Sequence, residues 1–165
     1  MKKLLKDSWS YIVIILVVIL IRTFIITPVS VDGDSMFPSL RDNEILLLKK
    51  YDKKIERFDI IVFNYGDSKL IKRVIGLPGE TVEYKDNELY INGEKMKDVV
   101  YFTETNDFSL EFLGVETIPE DMYFVLGDNR TNSSDSRTIG LISIKDIEGT
   151  TSFRLFPFKK FGMID

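Results

Sequence analysis

The sequence predicts a mainly β protein: an antiparallel β-sheet domain over residues 29–165, preceded by one N-terminal transmembrane helix. Three observations carry this. An unbroken apolar run, Tyr11–Ile21, follows Lys2, Lys3 and Lys6. Past Pro28 the chain breaks into short segments rich in β-branched and aromatic residues, each closed by turn formers. The length of 165 residues, with 44% hydrophobic and 29% charged side chains, suits one domain with a real core.

Residues 8–28 carry Arg22 as their only charge, and their number matches what a helix needs to cross an apolar bilayer core of about 30 Å. Arg22 lies near the far end, where a long side chain reaches the interface, and Trp9 and Tyr11 lie at the near end as interfacial aromatics do. A cleaved secretory leader shares this layout but requires small residues at its cut, and the chain contains no Ala. A buried strand is the other alternative, since eight of the eleven residues in the run are Ile or Val. Three lysines against Asp7 before the run keep residues 1–7 in the cytoplasm and send the remainder across. The expected location is thus the cell membrane, with a single pass and an extracytoplasmic domain.

Within that domain, strands are expected at Ile45–Lys50, Ile60–Phe63, Leu70–Gly76, Thr81–Tyr84, Met122–Leu126 and Thr150–Phe156. Glu88–Met96 reads as a hairpin around Asn92-Gly93, a pair suited to positive φ at both turn positions. Pro78-Gly79 reads as a type II turn. Residues 85–118 are more polar and less regular, and are expected to form a sub-lobe.

Composition excludes several chemistries. With no Cys there is no thiol nucleophile, disulfide or iron–sulfur cluster. With no His there is no Ser-His-Asp triad, and a zinc site would have to be built from oxygen alone. Neither metal nor cofactor is expected, and any activated nucleophile needs Lys, a carboxylate or the N-terminal amine as its base. The net charge of −4 argues against nucleic acid as partner. Nothing in the sequence fixes an oligomeric state.

Three stretches are unusual. In Val31-Asp-Gly-Asp-Ser-Met-Phe-Pro-Ser-Leu40, Gly33 frees the backbone before Ser35 and Pro38 fixes it afterwards; a plain connecting turn would look similar. In Lys69-Leu-Ile-Lys-Arg-Val-Ile-Gly-Leu-Pro-Gly-Glu80, Lys72 shares a strand face with Leu70 and Val74. Desolvation there would lower its pKa, which matters because only about one free lysine amine in 2,500 is neutral at pH 7. An edge-strand lysine in water reads the same way, and Arg73 stays protonated and cannot serve as a base. Gly127-Asp-Asn-Arg-Thr-Asn-Ser-Ser-Asp-Ser-Arg137 is almost wholly polar, as functional or heavily hydrogen-bonded turns are. It fails as a calcium loop, because Arg130, Ser133 and Ile139 stand where an EF-hand needs Asp/Asn, Gly and Glu. Its two glycosylation sequons are short enough to arise by chance.

Together these stretches resemble the boxes of the bacterial type I signal peptidases, membrane-anchored serine proteases with a Ser/Lys dyad. G-D-S-M-F-P-S-L resembles the nucleophile box, Arg57-Phe-Asp-Ile-Ile-Val-Phe63 the following strand box, I-K-R-V-I-G-L-P-G-E the lysine box, and G-D-N-R-T-N-S-S-D-S-R-T-I-G the last box. They occur in family order behind the apolar run, and the single span and short middle segment resemble the Gram-positive form. The resemblance implies a β-rich catalytic domain on the membrane, with a small β lobe inserted between the last two boxes. It implies Ser35 as nucleophile, Lys72 as general base, Ser133 as the hydroxyl that orients the lysine, the Ser35 backbone N–H as an oxyanion donor, and Asp128, Asp135 and Arg137 as structural support. The implied substrates are exported pre-proteins with small residues at positions −1 and −3. Three positions depart from the pattern: Gly33 where some members carry an oxyanion-binding serine, Ser39 where Thr is usual, and Phe58 in place of a common Gly. Two rival readings are a self-cleaving Ser/Lys repressor-type peptidase and a non-catalytic anchored β module.

Overall fold

The computed structural model describes residues 2–50 and 54–164, and within the first helix the side chains of Trp9, Tyr11–Leu20 and Arg22. Expectations resting on Met1 and on the side chains of Lys2, Lys3, Lys6 and Asp7 lie outside the described residues. Helix α1 covers Lys2–Phe24. Among the described residues no helix is long and apolar enough to cross a membrane.

The helix stops short of the expected 28 because Pro28 forces the residue before it into extended geometry. The Thr27 hydroxyl donates to the Arg22 carbonyl (2.7 Å), and Ile26–Ser30 becomes strand β1 instead. Pro28 is tolerated there because β1 pairs only with β2 (Ile45–Lys49) and forms one edge of the sheet.

The main sheet adds β3 (Ile60–Tyr65), β4 (Ser68–Gly76), β9 (Met122–Leu126), β10 (Ile142–Ser143), β11 (Ile147–Phe156) and β12 (Gly162–Met163). Its order is β1-β2-β11-β3-β4-β9-β10, with β12 on β11 and every pair antiparallel. A second antiparallel sheet, in the order β7-β6-β5-β8, is built from β5 (Val82–Lys85), β6 (Glu88–Ile91), β7 (Glu94–Met96) and β8 (Phe108–Ser109). It begins three residues before the anticipated sub-lobe boundary at 85. Asn92 and Gly93 both take positive φ (53° and 78°), the geometry of a two-residue hairpin turn. The short helix α2 (Ser136–Ile139) follows the polar loop and is N-capped by Asp135.

Burial explains how the site is held. Met36 and Leu40, from the turn that carries Ser35, sink into a cluster with Val31, Leu46, Ile60 and Ile71, so the turn is docked by two core side chains. Gly149 lies where β11 passes β2 so closely that a Cβ would collide with the Lys49 carbonyl. Gly149→Ala is therefore expected to cost about 1–3 kcal/mol of stability, read as a lower urea midpoint at unchanged slope. An unaltered midpoint would contradict this packing.

Candidate active site

Lys72 and Ser35 meet although they are far apart in sequence. β4 is inner to the sheet, and Lys72, opposite Ile61 on β3, shares its face with the buried Val74. Its side chain is 1% exposed. The amine lies 2.7 Å from Ser35 Oγ and 2.9 Å from the Ile71 carbonyl. Burial pushes the Lys72 pKa down to about 8, against smaller upward pulls from Asp135 and Asp128. At that value roughly one amine in ten is neutral at pH 7, enough for a base.

Each carboxylate is engaged elsewhere. Asp128 accepts from Arg73 Nε and Nη2 (2.8 and 2.7 Å), while Arg73 Nη1 donates to the Phe58 carbonyl (3.0 Å). Asp135 accepts from Arg137 Nε and Nη2 (2.9 and 2.8 Å) and from the Gly127 N–H (3.0 Å). Asp128, Asp135 and Arg137 thus sit in the ion pairs that frame the loop. Phe58 holds a positive φ of 71°, a conformation that favours glycine; its ring packs against the core cluster of Ile75, Val82 and Leu126.

Ser133 departs from expectation. Its hydroxyl is buried and makes no hydrogen bond among the described residues. It lies where a Cβ on Gly127 would have to sit, beside the Ser35 carbonyl, and the second acceptor for the Lys72 amine is the Ile71 carbonyl instead. The Ser35 N–H has no acceptor among the described residues, leaving it available as a donor.

Sequence reasoning gave no site role to Arg73, Asn129, Arg130 or Asp98. Arg130, fully inside, donates to Asp98 (2.6 and 3.1 Å), to Tyr84 Oη (3.0 Å) and to Thr105 Oγ1 (2.9 Å), joining the polar loop to the second sheet. Arg130 was visible as a loop residue, but its partners Asp98 and Thr105 lie in an irregular segment with no recognisable pattern.

Beside Ser35 runs one open edge of the sheet. Residues 68–72 of β4 pair with β3 alone, since the β9 ladder reaches only from Arg73 to Gly76. A small cleft of about 30 Å³ lies between this edge and the β1 turn, lined by Ser30, Asp32, Ser35, Met36, Leu70 and Lys72.

A serine hydroxyl met by a dry lysine amine, in a histidine-free β framework, has the form of a Ser/Lys hydrolase. Comparison with known proteins agrees with that class. The family model described as signal peptidase, peptidase S26, matches residues 4–156. Signal peptidase I S of Bacillus subtilis (strain 168) is 40% identical over 171 residues, spanning 96% of this chain and 92% of that protein. Signal peptidase I of Bacillus caldolyticus is 41% identical over 169 residues, spanning 93% and 92%. The crystal structure of a signal peptidase I from Enterococcus faecalis V583 superposes with a TM-score of 0.55 at 44% identity, covering 59% of this chain and 96% of that one. The chain belongs to the signal peptidase family, peptidase S26, as a serine endopeptidase of the type I signal peptidases.

Removing Asp98 would leave the Arg130 charge buried and unpaired. Asp98→Ala is expected to lower the unfolding free energy by about 3–5 kcal/mol, measured by denaturant titration, with Tyr84→Phe costing only about 1 kcal/mol.

Proposed function

We propose that Ser35 and Lys72 perform the signal-peptide cleavage of this type I signal peptidase through an acyl-enzyme. The observation that carries the reading is the 2.7 Å contact between the buried Lys72 amine and Ser35 Oγ. Neutral Lys72 removes the Ser35 proton as Oγ attacks the scissile carbonyl. The developing oxyanion is received by the Ser35 N–H. The lysine ammonium then protonates the departing amine, leaving an ester on Ser35. A water deprotonated by Lys72 attacks that ester, and its collapse releases the signal peptide as a carboxylate. Asp128, Asp135 and Arg137 hold the framework and do not react.

The substrate lies as an added strand along the free edge of residues 68–72, whose unpaired backbone groups offer main-chain hydrogen bonds. The small cleft beside Ser35 accepts little more than a methyl group, which favours small side chains at positions −1 and −3 of an exported pre-protein.

We also infer that α1 anchors the enzyme in the cell membrane, with its N-terminus in the cytoplasm and the β domain outside. Tyr11–Leu20 are ten consecutive apolar side chains, each between 40% and 68% exposed, a surface suited to lipid. β1 starts two residues after α1 ends, and the nine residues from Ile26 to Ser35 keep the nucleophile within about 30 Å of the helix. Tethering enzyme and pre-protein to one surface raises their effective concentration.

Cleavage of a pre-protein in detergent tests the dyad: Ser35→Ala and Lys72→Ala should each fall by about 10³-fold or more, and near-normal turnover by either variant would reject it. The base must be neutral to act. For wild type, kcat/KM should therefore rise about tenfold per pH unit up to roughly pH 8 and then level. The same amine binds its proton less tightly folded than unfolded, so folded stability should increase as pH climbs from about 8 towards 10.5. Lys72→Met should abolish that increment.

A further inference from the structure

Asn129 reaches the nucleophile turn from the polar loop. Its backbone N–H donates to the Ser35 carbonyl (3.0 Å), and its side-chain Nδ2 donates to the Asp34 carbonyl (3.1 Å). One residue therefore grips both peptide units that flank the nucleophile. A carbonyl oxygen can be met only by the NH₂ end of the amide, so the chemistry fixes which way Asn129 points. Its Oδ1 faces the Thr131 hydroxyl at a longer 3.5 Å.

The Asp34 carbonyl and the Ser35 N–H belong to the same peptide unit. That peptide is trans, so the two groups point in opposite directions from one rigid plane. Fixing the carbonyl fixes the aim of the N–H. Accepting a hydrogen bond at the carbonyl also polarises the unit and strengthens its N–H as a donor. The Ser35 N–H has no acceptor among the described residues, so it is free to be aimed. The plane has one internal hold, the Phe37 N–H to the Asp34 carbonyl (3.0 Å), and Asn129 supplies the hold from outside the turn.

We infer that the Asn129 side-chain amide is a positioning residue for oxyanion stabilisation, acting through the Asp34–Ser35 peptide plane. The inference rests on Ser35 being the nucleophile. Gly33 has no side chain to donate beside Ser35, so the oxyanion charge falls on backbone donors.

The test uses the full chain in detergent with Asn129→Ala and Asn129→Asp. The backbone bond from residue 129 to Ser35 survives both substitutions and keeps the turn docked. Asn129→Ala is expected to lower kcat about tenfold at unchanged KM. A peptide aldehyde, whose adduct on Ser35 places an oxyanion in the site, should lose affinity by a similar factor, whereas an unreactive peptide of the same sequence should not. The acidic limb should stay near pH 8 and the unfolding midpoint should not move. Asn129→Asp should lose at least as much, because its carboxylate repels the Asp34 carbonyl. Unchanged kcat and aldehyde affinity would overturn the inference. So would a loss confined to KM, to the pH limb or to the unfolding midpoint, since each marks a merely structural role. If Ser35→Ala is inactive while Asn129→Ala is unimpaired, the dyad stands and this inference alone falls; an active Ser35→Ala removes both.

Discussion

The site depends on keeping one lysine dry without giving it a counter-ion. A buried ammonium next to a free carboxylate would hold its proton, because the opposite charge stabilises the charged form. Lys72 lies within reach of the fields of two carboxylates, both of which pull its pKa upward. Desolvation still wins, and the geometry shows how. Asp128 is committed to Arg73 and Asp135 to Arg137, each through two hydrogen bonds. The arginines neutralise the carboxylates before these can pair with the lysine. Arg73, adjacent to Lys72 in a strand and so on its other face, keeps the Asp128 carboxylate in an ion pair of its own.

The second constraint is that the turn carrying Ser35 must not move. It is held at several points. Met36 and Leu40 anchor it in the core, and the Val31 N–H is fixed by the Glu44 carbonyl at 2.8 Å. The Glu44 carboxylate pairs with Arg154, which donates in turn to the Ser39 carbonyl at 2.7 Å. Glu44 thus reaches the turn at both ends, through its own backbone at one and through Arg154 at the other. Buried ion pairs are weak stabilisers on balance, but here they fix a geometry that apolar packing alone would leave with more freedom.

What the sequence disclosed follows from range. Strands with alternating or continuous apolar character were legible: β2, β3, β4, β9 and the hairpin of β6 and β7 fall within a few residues of expectation, because their signals are local. β1 was hidden, since Ile26–Ser30 continues the apolar character of the run before it and only Pro28 marks the change. The two-residue strands β8, β10 and β12 have no periodicity to read. Ser35 and Lys72 stood out through the boxes around them, and the face shared by Lys72 and Val74 through strand alternation. The partners of Asp128 and Arg130 did not, because Arg73–Asp128 and Arg130–Asp98 join residues 55 and 32 positions apart. Phe58 was visible as an anomaly, and its positive φ supplies the reason a glycine would suit that position.

The small lobe is tied to the surroundings of Lys72 by a chain of ion pairs and hydrogen bonds. Arg130 is locked to Asp98 and Tyr84 of the lobe region, and its carbonyl accepts from Arg137 Nη2 at 2.7 Å. Arg137 in turn neutralises Asp135, the larger of the two carboxylate influences on Lys72. Thr103 adds a separate tie, donating to the Asp128 carbonyl at 2.9 Å. A displacement of the lobe would therefore disturb the partner of the carboxylate that most opposes deprotonation. The lobe contributes no atom to the Ser35–Lys72 contact, yet through Arg130 it is joined to Arg137, the ion-pair partner of Asp135, and buried charges interact over several ångströms where water cannot screen them.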